Sequence, residues 1–225
     1  MSRRVALVTG ARGGIGAAIC SRLEADGWAV HGVDLEDADL TTRAGNRAVV
    51  EAALAAHGRL DAIVPNAGFQ HVAPVREFPE EEWNSLLALL LTSPFLLAKY
   101  AWDALAASGD GRICVIASAH ALAASPFKAG YVAAKHGVLG LVKTLALEGA
   151  DAGICATAVC PGFVRTPLAE RQVAERGLDA VLERHAVKRL LEPGEVADVV
   201  AFLLGPSGRG FTGVALPVDL GWTAA

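Results

Sequence analysis

The chain has 225 residues, 53% of them apolar and 20% charged, with a formal net charge of -4. That composition is too apolar for a disordered chain, is ample for a sizeable core, and leaves no basic footprint for nucleic acid. One domain spanning residues 1–225 is expected, with no membrane partner.

Short apolar runs alternate with longer helical patterns. Residues 5–9 read as a strand, followed by a Gly-rich loop and a helix over about 14–26. Residues 29–33 read as a second strand. Residues 45–57 read as a helix with Val49, Val50, Ala53 and Leu54 on one face. A strand is expected at 61–64. A long helix over 80 to about 107 is opened by Pro79 and three glutamates, which suit its positive end. The charge-free part of this helix, 83–98, is interrupted by polar residues and Pro94, so it reads as a buried helix rather than a membrane span. Strands at 113–117, 154–159 and 214–218 alternate with helices at 130–147 and 194–204 and two short helices at 167–176 and 178–185. Continuous apolar strands separated by helices imply a doubly wound α/β domain with a mostly parallel sheet.

One stretch breaks the pattern. The strand-like Ala38-Asp39-Leu40 begins only a few residues after Val33, whereas a parallel crossover takes a dozen or more. The third strand and its crossover helix are therefore expected to be shortened or missing, with this segment pairing differently or running as extended loop. The four cysteines (Cys20, Cys114, Cys155 and Cys160) are scattered without a C-x-x-C spacing. Reduced thiols suggest a cytoplasmic location. The six histidines form no metal-ligand cluster, so no metal is expected.

Gly10, Gly14 and Gly16 follow the first strand and open a helix. Glycines there let the backbone turn and approach a pyrophosphate, and the helix N-terminus offers free N–H groups. Asp34, at the end of the second strand, can accept from ribose hydroxyls and would repel a 2′-phosphate, which favours NAD over NADP. Arg12 points the other way, since an arginine nearby can accept a 2′-phosphate. Tyr131 and Lys135 share a helix face at the i, i+4 spacing, and Ser118 ends the strand before that helix. A tyrosine hydroxyl has an ordinary pKa of about 10. A neighbouring ammonium and an oxidised nicotinamide would lower it enough for acid/base work.

Thr9-Gly10-x-x-x-Gly14-x-Gly16, Asn66-Ala67-Gly68, Ser118, Tyr131-x-x-x-Lys135 and Pro161-Gly162 with Thr166 together resemble the short-chain dehydrogenase/reductases. The resemblance runs from Val5 to Thr223 and implies a Rossmann fold, an NAD(P) cofactor and hydride transfer between an alcohol and nicotinamide. Within that family the segments 66–74, 116–120, 131–138, 160–168 and 221–224 are most similar to the bacterial D-3-hydroxybutyrate dehydrogenases. By that resemblance Ser118, Tyr131 and Lys135 are catalytic. Gly10, Arg12, Gly14, Ile15, Gly16, Asp34, Asp39, Asn66, Ala67, Gly68, Tyr131, Lys135, Pro161, Gly162, Val164 and Thr166 hold NAD. Gln70, His120, Lys128, Phe163 and Gln172 hold a small hydroxy or keto acid. The family also implies a homodimer or homotetramer paired through the helices at 80–107 and 130–147.

The chain departs from that pattern in four places. Leu90 stands where the family has an Asn that bends the helix and holds a relay water, so a regular helix and an interrupted relay are expected. The crossover beside the adenine site is missing. The segment between Gln172 and Glu195, where a substrate lid would lie, is short. Leu220 replaces a Gly. These departures keep open a changed substrate, a non-redox reaction on the same scaffold, or a non-catalytic binding protein.

Overall fold

A computed structural model describes residues 3–224; Met1, Ser2 and Ala225, the ends of the expected domain, lie outside the described residues. Six parallel strands form one sheet in the order β2-β1-β3-β4-β5-β6. They are β1 (Val5–Thr9), β2 (Ala29–Val33), β3 (Ala62–Val64), β4 (Gly111–Ile116), β5 (Ile154–Pro161) and β6 (Ala215–Val218). Successive side chains alternate between faces. Val5, Leu7, Ile113 and Val115 join one core, and Ala6, Val8, Cys114 and Ile116 join the other. Both sheet faces are therefore covered, which is why the central strands read as unbroken apolar runs.

Helices α1 (Gly14–Ala25) and α8 (Pro193–Leu204) pack together on one face. Helices α2 (Arg43–His57), α4 (Ser93–Ala107) and α5 (Ala129–Gly149) cover the other. Their ends follow local chemistry. Thr42 caps α2 by accepting from the Gly45 N–H, and Gly58, in the left-handed region at φ 70°, closes it. Glu192 and Glu195 form a reciprocal capping box on α8, ahead of Pro193 in its first turn. Two short helices, α6 (Pro167–Arg176) and α7 (Leu178–Leu182), follow β5 and pack on each other.

The chain turns left from β1 to β2 and right from β1 to β3, so a crevice opens at the C-terminal ends of these strands. β2 is the edge: among the described residues no strand follows it before α2. Residues 35–37 form a turn, 38 and 39 run as irregular chain, and 40–41 turn into that helix, so the third strand is absent. Its crossover is replaced by a loop fastened by Asn46, which is fully buried. Asn46 Nδ2 donates to the carbonyls of Leu40 and Thr42 at 2.7 Å, and its Oδ1 accepts from Ser93 Oγ at 2.6 Å.

The helix through Leu90 is not regular, which corrects the expectation drawn from the missing Asn. Helix α3 (Glu80–Leu87) passes into a π turn over Ala88–Thr92 before α4. Ser93 N–H donates to the Ala88 carbonyl, five residues back. The cause is Pro94. It has no N–H for the Leu90 carbonyl four residues back, and its ring crowds that carbonyl, so the turn widens. The whole run Glu80–Ala107 is long and apolar enough by composition to cross a membrane. Here Leu97, Ala98, Ala101 and Leu105 of the run are buried in the sheet core.

Two outcomes check this account. Pro94→Ala supplies the missing donor, so the new amide at 94 should be protected in hydrogen exchange by the Leu90 carbonyl. Leu90, 2% exposed, should cost about 3 kcal/mol when cut to Ala, read as a fall in thermal midpoint.

Candidate active site

The Gly-rich loop is built by close approach. A Cβ at Gly16 would lie 2.0 Å from the Gly10 carbonyl oxygen, and Gly10 sits at φ +64° with Asn66 and Ala67 against it. Asn66 holds the loop open: its Nδ2 donates to the carbonyls of Thr9 at 2.9 Å and Gly10 at 3.2 Å. Thr9 Oγ1 in turn accepts from the N–H groups of Asn66 and Ala67 at 3.0 and 3.1 Å. The N-cap of α1, Gly13, supplies no side-chain cap, and the first turn carries no acid. The leading N–H groups of α1 therefore lack a side-chain partner, the arrangement that receives a phosphate.

Two adjoining cavities occupy the crevice. The larger, about 600 Å³, is walled by Gly10, Gly14, Gly16, Asp34, Asp39 and Ala67, among others. The smaller, about 160 Å³, brings together Ser118, Tyr131, Lys135, Gln70, His120, Lys128, Phe163 and Gln172 with Pro161, Gly162 and Val164. Ile15, Asn66, Gly68 and Thr166 line both. Every site residue expected from the sequence thus faces one cavity or the other, except Arg12. Its side chain turns outward to Glu36 and Asp37.

In the smaller cavity Lys135 is 5% exposed and donates from Nζ to the Ile116 carbonyl at 2.7 Å. Burial pushes its pKa down to about 8. Tyr131, one turn earlier on α5, presents its ring with the Lys135 ammonium 5.7 Å from the centroid. Burial raises the tyrosine pKa above its ordinary value, while hydrogen bonds with Ser118 and Gln70 pull it back. The expected lowering by a neighbouring ammonium is not found here: burial sets the direction, and Ser118 and Gln70 are what oppose it. Ser118 Oγ accepts from the His120 N–H at 3.1 Å.

The rest of the cavity suits an anion. Lys128 is 6% exposed, with its ammonium 5.6 Å from the Phe163 ring centroid. Burial and the neighbouring Arg176 bring its pKa down to about 8. His120 is driven to about 3 by burial, then by Lys128, so it works as a neutral hydrogen-bonding ring. Its Nε2 lies 3.1 Å from Ser125 Oγ. Gln172 Nε2 donates to Gln70 Oε1 at 3.3 Å, while Gln172 Oε1 is buried without a partner.

Sequence reasoning missed three contributors. Thr9 sat inside the loop motif without a role. Ser125 lies in a loop with no periodicity. Trp222 returns from the far C-terminus to stack on His120 with ring centroids 5.0 Å apart, a closure that no local spacing announces. Gly16→Ala tests the loop geometry: its Cβ has no space, so a destabilisation of about 3 kcal/mol is expected on thermal melting.

The family model described as Enoyl-(Acyl carrier protein) reductase matches residues 35–223. An uncharacterized oxidoreductase of Bacillus subtilis is 38% identical, with all of both chains covered. A D-beta-hydroxybutyrate dehydrogenase of Cupriavidus necator is 34% identical over 100% of this chain and 99% of its own. The crystal structure of a Brucella melitensis 3-ketoacyl-(acyl-carrier-protein) reductase complexed with NADH superposes with a TM-score of 0.91 at 29% identity, covering 99% of each chain. The chain belongs to the short-chain dehydrogenase/reductase family of oxidoreductases.

Proposed function

We propose that this oxidoreductase uses NAD(H) to interconvert a small hydroxy acid and its keto acid, of the 3-hydroxybutyrate kind. The observation that carries the reading is the buried ammonium of Lys128 in the same cavity as Ser118 and Tyr131. A short hydroxy acid offers one carboxylate and one carbinol, and the cavity supplies one cationic end and one acid/base end.

The residues fit the cofactor. The glycine cradle leaves room that a Cβ would fill, and Asp34 faces the larger cavity where ribose hydroxyls would need an acceptor. Gly10, Gly14, Ile15 and Gly16 would hold the pyrophosphate. Asn66, Ala67, Gly68, Pro161, Gly162, Val164 and Thr166 would wall the nicotinamide half. The bound nicotinamide supplies the hydride acceptor or donor.

In reduction, Tyr131 gives its hydroxyl proton to the substrate carbonyl oxygen as the carbon gains a hydride. In oxidation, its tyrosinate form takes the carbinol proton as the C–H bond gives up its hydride. Ser118 holds the substrate oxygen, and Lys135 keeps positive charge beside the tyrosinate. Lys128 pairs with the carboxylate, and Gln70, Gln172 and His120 direct hydrogen bonds to it. His120 stays neutral and adds no charge there.

A second reading concerns substrate size. A further cavity of about 450 Å³ shares Lys128, Phe163, Gln172 and Trp222 with the reaction cavity. That space favours a longer acid, whose tail would leave past Lys128 between the loop at 124–127 and the short helices. Rates on a chain-length series of 3-hydroxy acids separate the two readings.

The free thiols Cys20, Cys114, Cys155 and Cys160 support a reducing, cytoplasmic setting. Phe95 on α4 and Leu147 on α5 are 45% and 81% exposed, which supports a homo-oligomer paired through those helices.

Two measurements test the reading. Tyr131→Phe should lower kcat by about 10² to 10⁴ while NADH binding persists. Lys128 carries its charge below a pKa of about 8, depressed from 10.5. Carboxylate binding is therefore full at lower pH and lost as pH rises through that value. KM for the acid should climb above pH 8, and Lys128→Met should raise KM and flatten the climb.

A further inference from the structure

The edge of the nucleotide cavity carries a four-residue polar network. Arg12 N–H donates to Asp34 Oδ2 at 2.9 Å, tying the Gly-rich loop to the end of β2. The Arg12 guanidinium turns away from the cavity and donates to Glu36 Oε2 at 3.0 Å and to Asp37 Oδ1 at 3.2 Å. Asp37 is itself fixed, because its Oδ2 accepts from the Asp34 N–H at 2.7 Å. Gly10, Gly13, Gly14, Asp34, Leu35, Ala38 and Asp39 line the cavity on either side of this network, and Arg12 does not.

This arrangement bears on a nucleotide with a phosphate on its adenosine ribose. Such a phosphate would stand beside the Asp34 carboxylate and need a cation. Arg12 is joined to Asp34 through its own backbone and is the guanidinium in position to serve. Its fork is matched to a phosphate as well as to a carboxylate, so the two compete for it. Glu36 and Asp37 occupy it first.

We propose that Glu36 and Asp37 are specificity-determining residues: by holding Arg12 off the cavity they make the site reject a 2′-phosphorylated nucleotide. This rests on the nucleotide reading above. Discrimination then has two parts. Asp34 repels the phosphate, and the acidic pair withholds the compensating charge of Arg12. The ion pairs are exposed, with Arg12 and Glu36 side chains 55% and 83% accessible. Exposed pairs are individually weak, so the arrangement is open to reversal by few substitutions.

The experiment is a fluorescence titration of NADH and NADPH against the wild type, Glu36→Gln/Asp37→Asn, and that double variant with Arg12→Met added. Asn at 37 keeps an oxygen for the Asp34 N–H, so the loop should hold its shape; thermal midpoints check this. The wild type should bind NADH more tightly than NADPH. The double variant should tighten NADPH about tenfold, the scale of a hydrogen bond to a charged group, with a smaller change for NADH. Adding Arg12→Met should remove that gain. An unchanged NADPH-to-NADH ratio in the double variant overturns the proposal. A gain that survives Arg12→Met also overturns it, since relief of repulsion alone would then be the cause. A wild type that binds NADPH as tightly as NADH contradicts the assigned specificity. A wild type that binds neither nucleotide overturns the nucleotide reading with it.

Discussion

A buried ammonium cannot be left unpaired, and the site depends on how Lys135 meets that constraint. Its donation to the Ile116 carbonyl at the end of β4 is the hydrogen bond that offsets part of its desolvation. The bond pins α5 against the C-terminal edge of the sheet. Tyr131 lies one helical turn away and Ser118 two residues beyond Ile116, so both reach the same cavity. Tyr131 and Ser118 are thus placed by one contact between a helix and a strand end.

The same edge of the sheet shows how the fold tolerates a deletion. Without a third strand, β2 ends the sheet and the chain must reach α2 in a short loop. Asn46 replaces what a strand ladder would have supplied, holding two loop carbonyls and the Ser93 hydroxyl in a buried site. Because Ser93 stands at the start of α4, directly after the π turn, the loop beside the larger cavity is tied to the turn whose Leu90 lines the smaller one. The larger cavity stays walled on this side by Asp34, Leu35, Ala38 and Asp39.

The π turn shows a local signal masked by a comparison. Leu90 brings no hydrogen-bonding side chain to the turn, whose geometry follows from Pro94, four residues on. A missing donor and a crowded carbonyl act on backbone, whatever side chain sits at 90. Leu90 instead fills space: its Cδ2 lies 2.8 Å from where a Cβ of Gly68 would be. A side chain at 68 would require the Leu90 side chain to shift.

By itself the sequence determined the layer order and the parallel sheet, narrowed the stretch after β2 to a shortened or missing third strand, and, through its resemblance to a family, named many of the residues that line the two cavities. The first two properties rest on local period, and the glycine loop rests on glycines whose neighbours need the room. Only the tertiary structure decided the direction of Arg12, the widened turn at Leu90, the protonation tendencies of Tyr131, His120 and Lys128, and the return of Trp222 onto His120. Each of these is set by groups distant in the chain or by depth of burial, and neither can be read from spacing.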